Sequence, residues 1–229
     1  MSQPSRRSLL LGAALMAPLL ALPACVTGGP GGGLTEGLRR LLEISSQRAL
    51  ARLATSNGYL NDPAARIKLP GGSSDRSAAV LGALLRSAPV QRELTLAINR
   101  AAGEAADRAA PLVYDSIQSL TFSDALGIVR GGPTAATSYL ERSIGDQIID
   151  AMFPEIGEAL RQFGGGSILG PVLGAATGID IPAIQRAVTS QASQGLWRAI
   201  GREEAAIRAV PARAGDPLVE AILTGRIPS

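Results

Sequence analysis

The chain has 229 residues, a formal net charge of +3, one cysteine and no histidine. A single cysteine permits no intramolecular disulfide, and the lack of histidine excludes Ser-His-Asp catalysis and argues against zinc and copper sites. The three phenylalanines, three tyrosines and one tryptophan are not interleaved with a basic stripe. The composition therefore gives no indication of nucleic-acid binding.

The first 24 residues have the pattern of a cleavable signal peptide. Arg6 and Arg7 precede an uncharged run from Leu9 to Leu22, which is too short to cross a hydrocarbon core of about 30 Å. The paired arginines resemble the twin-arginine export signal, and a plain Sec signal is the alternative. Without these two arginines, 20 of the 22 basic residues remain against 19 acidic ones, so the mature chain is nearly neutral.

The signal ends at the only cysteine. The sequence Leu22-Pro23-Ala24-Cys25 resembles a lipobox, in which the cysteine is acylated and anchors the mature chain to a membrane. The alternative is cleavage at an A-x-A-like site, which leaves Cys25 a free thiol. Residues 26–33 are glycine-rich and predict a flexible tether before a domain over 34–229. Val26, where an aspartate retains some lipoproteins at the inner membrane, favours the periplasmic side of a Gram-negative outer membrane.

Apolar residues recur at helical spacing through most of the domain. The first predicted helix covers about 35–54, with Thr35 as its N-cap and an apolar face of Leu38, Leu41, Leu42, Ala49 and Leu53. Asn57-Gly58 predicts a turn, and residues 67–70 predict a short extended segment.

Turn residues divide the central part of the chain into further helices. Predicted helices cover 74–87 and 89–109, and another restarts at Pro111. Thr121 and Asp124 have the spacing of a capping box, which starts a helix that stops at two glycines, Gly131 and Gly132.

Prolines mark the later helices. Pro133 opens one helix, Pro154 kinks or restarts it, Pro182 precedes a long helix, and Pro217 begins a short terminal one. The apolar face of the long helix comprises Ile184, Val188, Leu196, Ile200 and Ile207. Strand signals amount to one or two short segments, so we predict an all-α, single globular bundle of about eight to nine helices.

Several strings in this helical pattern resemble the bacterial family called domain of unknown function 4197. The resemblance spans Leu34 to Leu223 and is carried by LTEGLRRLLEISSQRAL, NGYLNDPAARIKLP, ELTLAINRAAGEA, LTFSDALGIVRGGPTAATSYL and GLWRAIGREEAAIR. It implies an exported, mainly helical, envelope-associated domain. It supplies no reaction, ligand or catalytic residue.

The segment from Phe163 to Ile179 is uncharged, and glycines recur in it at every fourth position, a spacing that lets helix backbones approach closely. Such a segment can enter a bilayer interface, line an apolar pocket or self-associate, which makes Phe163, Leu169 and Leu173 candidate contacts. The alternative is a tightly packed helical hairpin inside the fold.

Two groups of polar residues are further candidates for binding. Asn99 lies near the apolar face of its helix beside Arg100 and Glu104, which suggests the polar floor of a ligand pocket. The alternative is a surface ion pair next to a structural asparagine. Tyr59 and Lys68 belong to a long loop, where binding residues often occur.

A pair of acidic residues near the end of the long helix is expected to belong to the scaffold. Glu204 and Arg208 are four residues apart, and an exposed pair at this spacing contributes only about 0.3–0.5 kcal/mol. Glu203 precedes this pair in the sequence.

These observations favour a non-enzymatic lipoprotein of the cell envelope that binds an apolar ligand or an envelope protein partner. The alternative is a structural or assembly protein that acts through self-association. A hydrolase or transferase using Asp107, Asp124 or Glu203 is a third hypothesis, which requires two carboxylates within about 5–9.5 Å of each other. No cofactor or metal is expected, because the sequence contains no calcium-loop or phosphate-loop motif.

Overall fold

A computed structural model of the protein describes residues 32–68, 88–166 and 181–225. Seven α-helices and one short 3-10 helix lie in these ranges, and no strand does. They are α1 Gly32–Leu53, α2 Gly58–Asn61, α3 Ala88–Gln118, α4 Phe122–Val129, α5 Ala135–Gly166, α6 Ile181–Ala209, the 3-10 helix Pro211–Ala214 and α7 Pro217–Thr224. The all-α prediction is confirmed, with seven helices in the described ranges rather than eight or nine.

α3 and α5 continue through internal prolines, so the predicted restart at Pro111 is wrong and Pro154 does not restart its helix. Pro111 lies inside α3 and Pro154 inside α5. Both prolines are exposed, and each follows an exposed aspartate by four residues, Asp107 and Asp150 respectively. Since the carbonyl that loses its helical partner lies on the solvent face, water can satisfy it, and the buried face of each helix continues.

The start of the first helix also differs from the prediction. α1 begins at Gly32, so it includes two residues of the predicted tether, and Thr35 is a buried residue inside the helix rather than its N-cap. The predicted apolar face of α1 is buried as expected, with Leu38, Leu41 and Leu42 at 0% exposure. Each fully buried leucine contributes roughly 1.5–3 kcal/mol to folding.

The core lies between α1, α3, α5 and α6. α3 packs on α5, α5 packs on α6, and α1 packs on α6. The side of α3 that faces the core is rich in alanine, and a β-carbon at Gly103 would lie 3.0 Å from the carbonyl oxygen of Leu53. Small residues therefore allow α1 and α3 to pack closely. The predicted face of α6 is buried at Val188, Leu196, Ile200 and Ile207 and half-buried at Ile184.

Two helices begin at side-chain caps, and the capping box of Thr121 and Asp124 is the one that the sequence predicts. The Thr121 hydroxyl accepts a hydrogen bond from the Asp124 amide at 3.3 Å, and the Asp124 carboxylate accepts one from the Thr121 amide at 3.0 Å. This capping box starts α4 as predicted, and its hydrogen bonds from Thr121 lower the pKa of Asp124. Asp216 caps α7 by accepting hydrogen bonds from Leu218 and Val219, and Pro217 occupies the first turn as expected.

The predicted signal peptide with Arg6 and Arg7, the lipidated Cys25 and most of the tether lie outside the described residues, and so do two further sequence predictions. The predicted helix over 74–87 is one of them. The other is most of the glycine-rich segment, including Leu169, Leu173 and the side chain of Phe163. None of the helices within 32–68, 88–166 and 181–225 is both long and apolar enough to cross a membrane.

Candidate functional site

The segment 57–68 reverses the chain after α1 and then runs antiparallel along α6. Asn57 has a φ of 64°, and a β-carbon at Gly58 would lie 2.4 Å from the carbonyl oxygen of Arg52, so the predicted Asn-Gly turn is present and requires glycine. Farther along, Arg198 donates to the Ala64 carbonyl at 2.6 Å, and the Lys68 amide donates to Gln191 at 3.0 Å. The structure thus brings together two of the strings that carry the family resemblance.

Hydrogen bonds of Tyr59 and Asn99 connect this segment to α6 and α3, respectively. The fully buried Tyr59 hydroxyl donates to the Ala192 carbonyl at 3.1 Å, and its burial raises the pKa of the phenol. The Asn99 side chain is 1% exposed, accepts from the Ile67 amide at 3.2 Å and donates to the Thr95 carbonyl at 2.7 Å. Both side chains therefore use their polar groups within the fold.

The other candidates from this part of the sequence lie on the surface. Arg100 and Glu104 are 3.9 Å apart, with side chains 71% and 62% exposed, and they form the surface ion pair considered as an alternative. The Lys68 side chain is exposed as well. Neither of the two clefts described below is lined by any of these three residues.

A buried carboxylate that the sequence analysis did not single out joins the segment to α6. Asp62 is 5% exposed and accepts hydrogen bonds from both terminal nitrogens of Arg202, the Nη1 bond being 2.9 Å long. It also accepts from the Ala64 amide at 2.9 Å, and Arg52 lies 3.7 Å away. The hydrogen bonds from Arg202 are the main cause that lowers the pKa of Asp62 to about 2.

Glu204 is a second buried carboxylate, and its surroundings differ from those predicted. It is 0% exposed and accepts from the amides of Ala136 and Thr137, at 3.0 and 2.7 Å, and from the Thr137 hydroxyl at 2.7 Å. Arg208 donates to it at 2.8 Å. A residue of α6 therefore caps the first turn of α5, where the helix dipole favours a negative charge.

This geometry corrects the predicted strength of the Glu204–Arg208 pair. The scaffold role fits the structure, but the value of about 0.3–0.5 kcal/mol applies to exposed pairs, and the Arg208 side chain is only 12% exposed. Removing one partner of a buried pair costs about 3–5 kcal/mol. Glu203, the neighbour of Glu204, is instead bound by Arg52 at 2.7 Å.

A cleft of about 410 Å³ opens beside these contacts, and we call it the α5–α6 cleft. One wall belongs to the start of α5 and the residue before it, and the other to α6. The lining residues are Thr134, Thr137, Ser138, Glu141, Gln194, Trp197, Arg198, Gly201, Arg202 and Ala205. A β-carbon at Gly201 would lie 3.2 Å from the Thr134 methyl group, so this glycine permits the close approach of the two walls.

The chemistry of the α5–α6 cleft is that of hydrogen bonding and charge pairing. Its groups are two guanidinium groups, one side-chain amide, three hydroxyls and the carboxylate of Glu141. Hydrogen bonds to the segment 57–68 position both guanidinium groups: Arg202 donates to Asp62, and Arg198 donates to the Ala64 carbonyl. Glu141 is the single carboxylate of the lining, so the cleft does not hold the carboxylate pair that acid–base hydrolysis requires.

A second cleft of about 440 Å³ lies between α4 and α5, and we call it the α4–α5 cleft. Asp124, Tyr139 and Arg142 supply its charged and aromatic groups. Burial is the main cause that raises the pKa of Tyr139, and its hydrogen bond with Asp124 adds to this. The cleft has one carboxylate, which the capping box of α4 already uses.

The three carboxylates proposed for a hydrolase lie on three different elements. Asp107 is exposed on α3, Asp124 belongs to the cap of α4, and Glu203 on α6 is bound by Arg52. In the part of the chain that the structure describes, no group of three or more acidic, histidine or cysteine side chains is placed to hold a metal ion.

The fold and its clefts define a class of protein, an all-helical domain with an open cleft between α5 and α6. Buried polar residues position the segment 57–68 and the start of α5 against α6 beside this cleft. The chain belongs to the family described as protein of unknown function DUF4197, whose family model matches residues 32–224. The resemblance found in the sequence is therefore confirmed. A comparison with curated proteins and one with solved structures each gave no match.

Proposed function

We propose that this chain is a non-enzymatic, lipid-anchored protein of the cell envelope that binds an envelope protein partner in the α5–α6 cleft. The anchor is Cys25, and the export signal includes Arg6 and Arg7. The observation that carries the proposal is the pair of guanidinium groups, Arg198 and Arg202, that hydrogen bonds hold in an open cleft.

The hydrogen-bonding groups of the cleft suit a polypeptide ligand, which can also cover the apolar part of the lining. The donors on Gln194, Arg198 and Arg202 match the carbonyl and carboxylate acceptors of a peptide chain, while Glu141 offers an acceptor for its amides. Because Arg198 and Arg202 are already held by hydrogen bonds, binding a partner costs less side-chain entropy than ordering two free arginines would. The volume of about 410 Å³ lies within the usual range for binding sites, about 300–1,000 Å³.

The polar groups outside the cleft support a non-enzymatic function. Tyr59, Asn99, Asp62 and Glu204 are buried, and each has a hydrogen-bond partner within the fold. Together with the lack of histidine in the sequence, these structural hydrogen bonds favour binding over catalysis. Binding is the activity that these side chains support best.

Site-specific photo-crosslinking in the envelope tests the proposal. A photoreactive residue replaces Gln194 in the cleft, and the matched control replaces Gln147, an exposed glutamine on α5 that lines neither cleft. We expect a discrete protein adduct from position 194 and none from position 147. The same adducts from both positions, or none from position 194, would contradict the proposed site.

A further inference from the structure

The end of the bundle where α1 begins is also the end that carries α4. Arg39, in the second turn of α1, donates to the carbonyl of Leu120 at 2.8 Å, two residues before α4 starts. Farther along α1, Glu43 accepts from Gln118, the last residue of α3. α1 and α3 therefore run antiparallel, and α4 lies beside the N-terminal turns of α1.

α4 exposes two large apolar side chains on one face. Phe122 is 47% exposed and Leu126, one turn later, is 40% exposed, while Ala125 and Ile128 on the other side are buried. Arg130, four residues after Leu126, is exposed too. We call Phe122, Leu126 and Arg130 the α4 stripe.

The α4 stripe is distinct from the other exposed apolar residues. Among the described residues, two further large hydrophobic side chains are exposed, Leu96 on α3 and Val210 after α6. Leu96 lies toward the start of α3, in the half of that helix that contacts Ile67 through Asn99, and it is therefore remote from the α3 end that meets α4. Two exposed apolar residues one turn apart on an eight-residue helix form a small patch rather than a scattered pair.

The length of chain before α1 limits how far this end can lie from the anchor. Gly32 follows Cys25 by seven residues, and seven residues span at most about 25 Å when fully extended. A lipid on Cys25 therefore keeps the first turn of α1 within about 25 Å of the bilayer surface. α4 lies beside Arg39, about 10 Å farther along α1, and is therefore kept within about 35 Å.

We propose that the α4 stripe contacts the membrane surface next to the lipid anchor. Phe122 and Leu126 enter the interface between headgroups and acyl chains, and Arg130 pairs with lipid phosphates. The inference rests on the acylation of Cys25 that the proposed function includes. It assigns α4 a role in orienting the domain on the membrane that is separate from partner binding in the α5–α6 cleft.

Depth-dependent fluorescence quenching tests the contact in the full-length, acylated chain reconstituted into phosphatidylcholine vesicles with brominated acyl chains. The variant is Phe122→Trp, and the matched control is Leu96→Trp, a similarly exposed position at 39%. The native Trp197 is 3% exposed and supplies the background in both. We expect quenching of the tryptophan at position 122 to exceed that at position 96 several-fold, and Leu126→Asp to abolish the difference.

The outcomes separate this inference from the proposed function. Intact mass of the chain, measured first, establishes acylation of Cys25, and an unacylated chain overturns both the anchor and the membrane contact. Acylated chain with equal quenching at positions 122 and 96 overturns the membrane contact alone. A photoreactive residue at position 122 that crosslinks to a protein or to a second copy, without quenching in Phe122→Trp, also overturns the membrane contact. Circular dichroism of each variant confirms that the exposed substitutions leave the helical content unchanged.

Discussion

The two buried carboxylates, Asp62 beside α6 and Glu204 on α6, have different hydrogen-bond partners for their negative charge. Asp62 is held by Arg202, whose side chain is 40% exposed, while Glu204 is held by backbone amides at the start of α5 and by the 12%-exposed Arg208. A carboxylate bound by half-exposed arginines can exchange part of that contact for water. A carboxylate that caps a buried helix start cannot. Glu204 therefore stabilises the packing of α5 on α6, whereas Asp62 positions the segment 57–68 and an arginine of the α5–α6 cleft.

Glu204→Ala is expected to have the largest effect. It leaves the Arg208 charge and the amides of Ala136 and Thr137 buried without a partner, and the loss of a buried partner lowers the free energy of unfolding by about 3–5 kcal/mol. Urea denaturation of the mature chain carrying Cys25→Ser measures it. Glu203→Ala at the neighbouring position is the control, with a much smaller loss. Equal losses for both variants would show that the buried cap has no special weight.

Asp62→Asn tests how much the charged form of Asp62 stabilises the fold, through the pH dependence of unfolding. The pKa of Asp62 is about 2 in the folded chain and about 3.9 in the unfolded chain, so the charged form stabilises the fold. The contribution, roughly 2–3 kcal/mol, is complete above the unfolded pKa and is lost as the pH falls from about 4 towards 2. Urea denaturation at a series of acidic pH values should show a smaller acid-induced loss in Asp62→Asn than in the unsubstituted chain. A parallel loss in both would contradict the assignment.

Thr121→Ala tests the local, exposed counterpart of the Glu204 cap. The capping box of α4 uses side chains three residues apart, and its loss is expected to lower the free energy of unfolding by about 1 kcal/mol. Thermal unfolding followed by circular dichroism measures the change. Ser123→Ala, an exposed position two residues later, serves as the control. A loss as large as that of Glu204→Ala would remove the distinction between local and long-range caps.

Arg100→Ala is expected to have the smallest effect. Its partner Glu104 is 3.9 Å away and both side chains are largely exposed, so the free energy of unfolding should change by no more than about 0.5 kcal/mol. Urea denaturation in low and high salt gives the measurement. A loss of several kcal/mol would mean that the pair has contacts that its exposure does not indicate.

The parts of the fold that could be predicted are those set by neighbours in sequence. The apolar face of α1, the cap at Thr121 and the Asn57-Gly58 turn follow from residues within a few positions of one another, and each is present. The predicted restart at Pro111 is wrong, because a proline on the solvent face leaves its unpaired carbonyl accessible to water.

The candidate site could be predicted only in part, because its main contacts are long-range. Asp62 and Arg202 are 140 positions apart, and Glu204 lies 68 positions from Ala136. No local pattern links such residues before the helices are packed. The Asp62-Pro63 dipeptide is a turn signal that could have drawn attention to Asp62.

Crosslinking from position 194 in a chain whose α5–α6 cleft is filled tests partner binding in that cleft most directly. Ala205→Trp adds a bulky side chain to the lining of the cleft at a half-buried position, and Ala183→Trp near the start of α6, outside the cleft, is the control. We predict that Ala205→Trp abolishes the protein adduct while the chain stays folded and membrane-bound, and that Ala183→Trp preserves it. An adduct that persists unchanged in Ala205→Trp would contradict partner binding in the α5–α6 cleft.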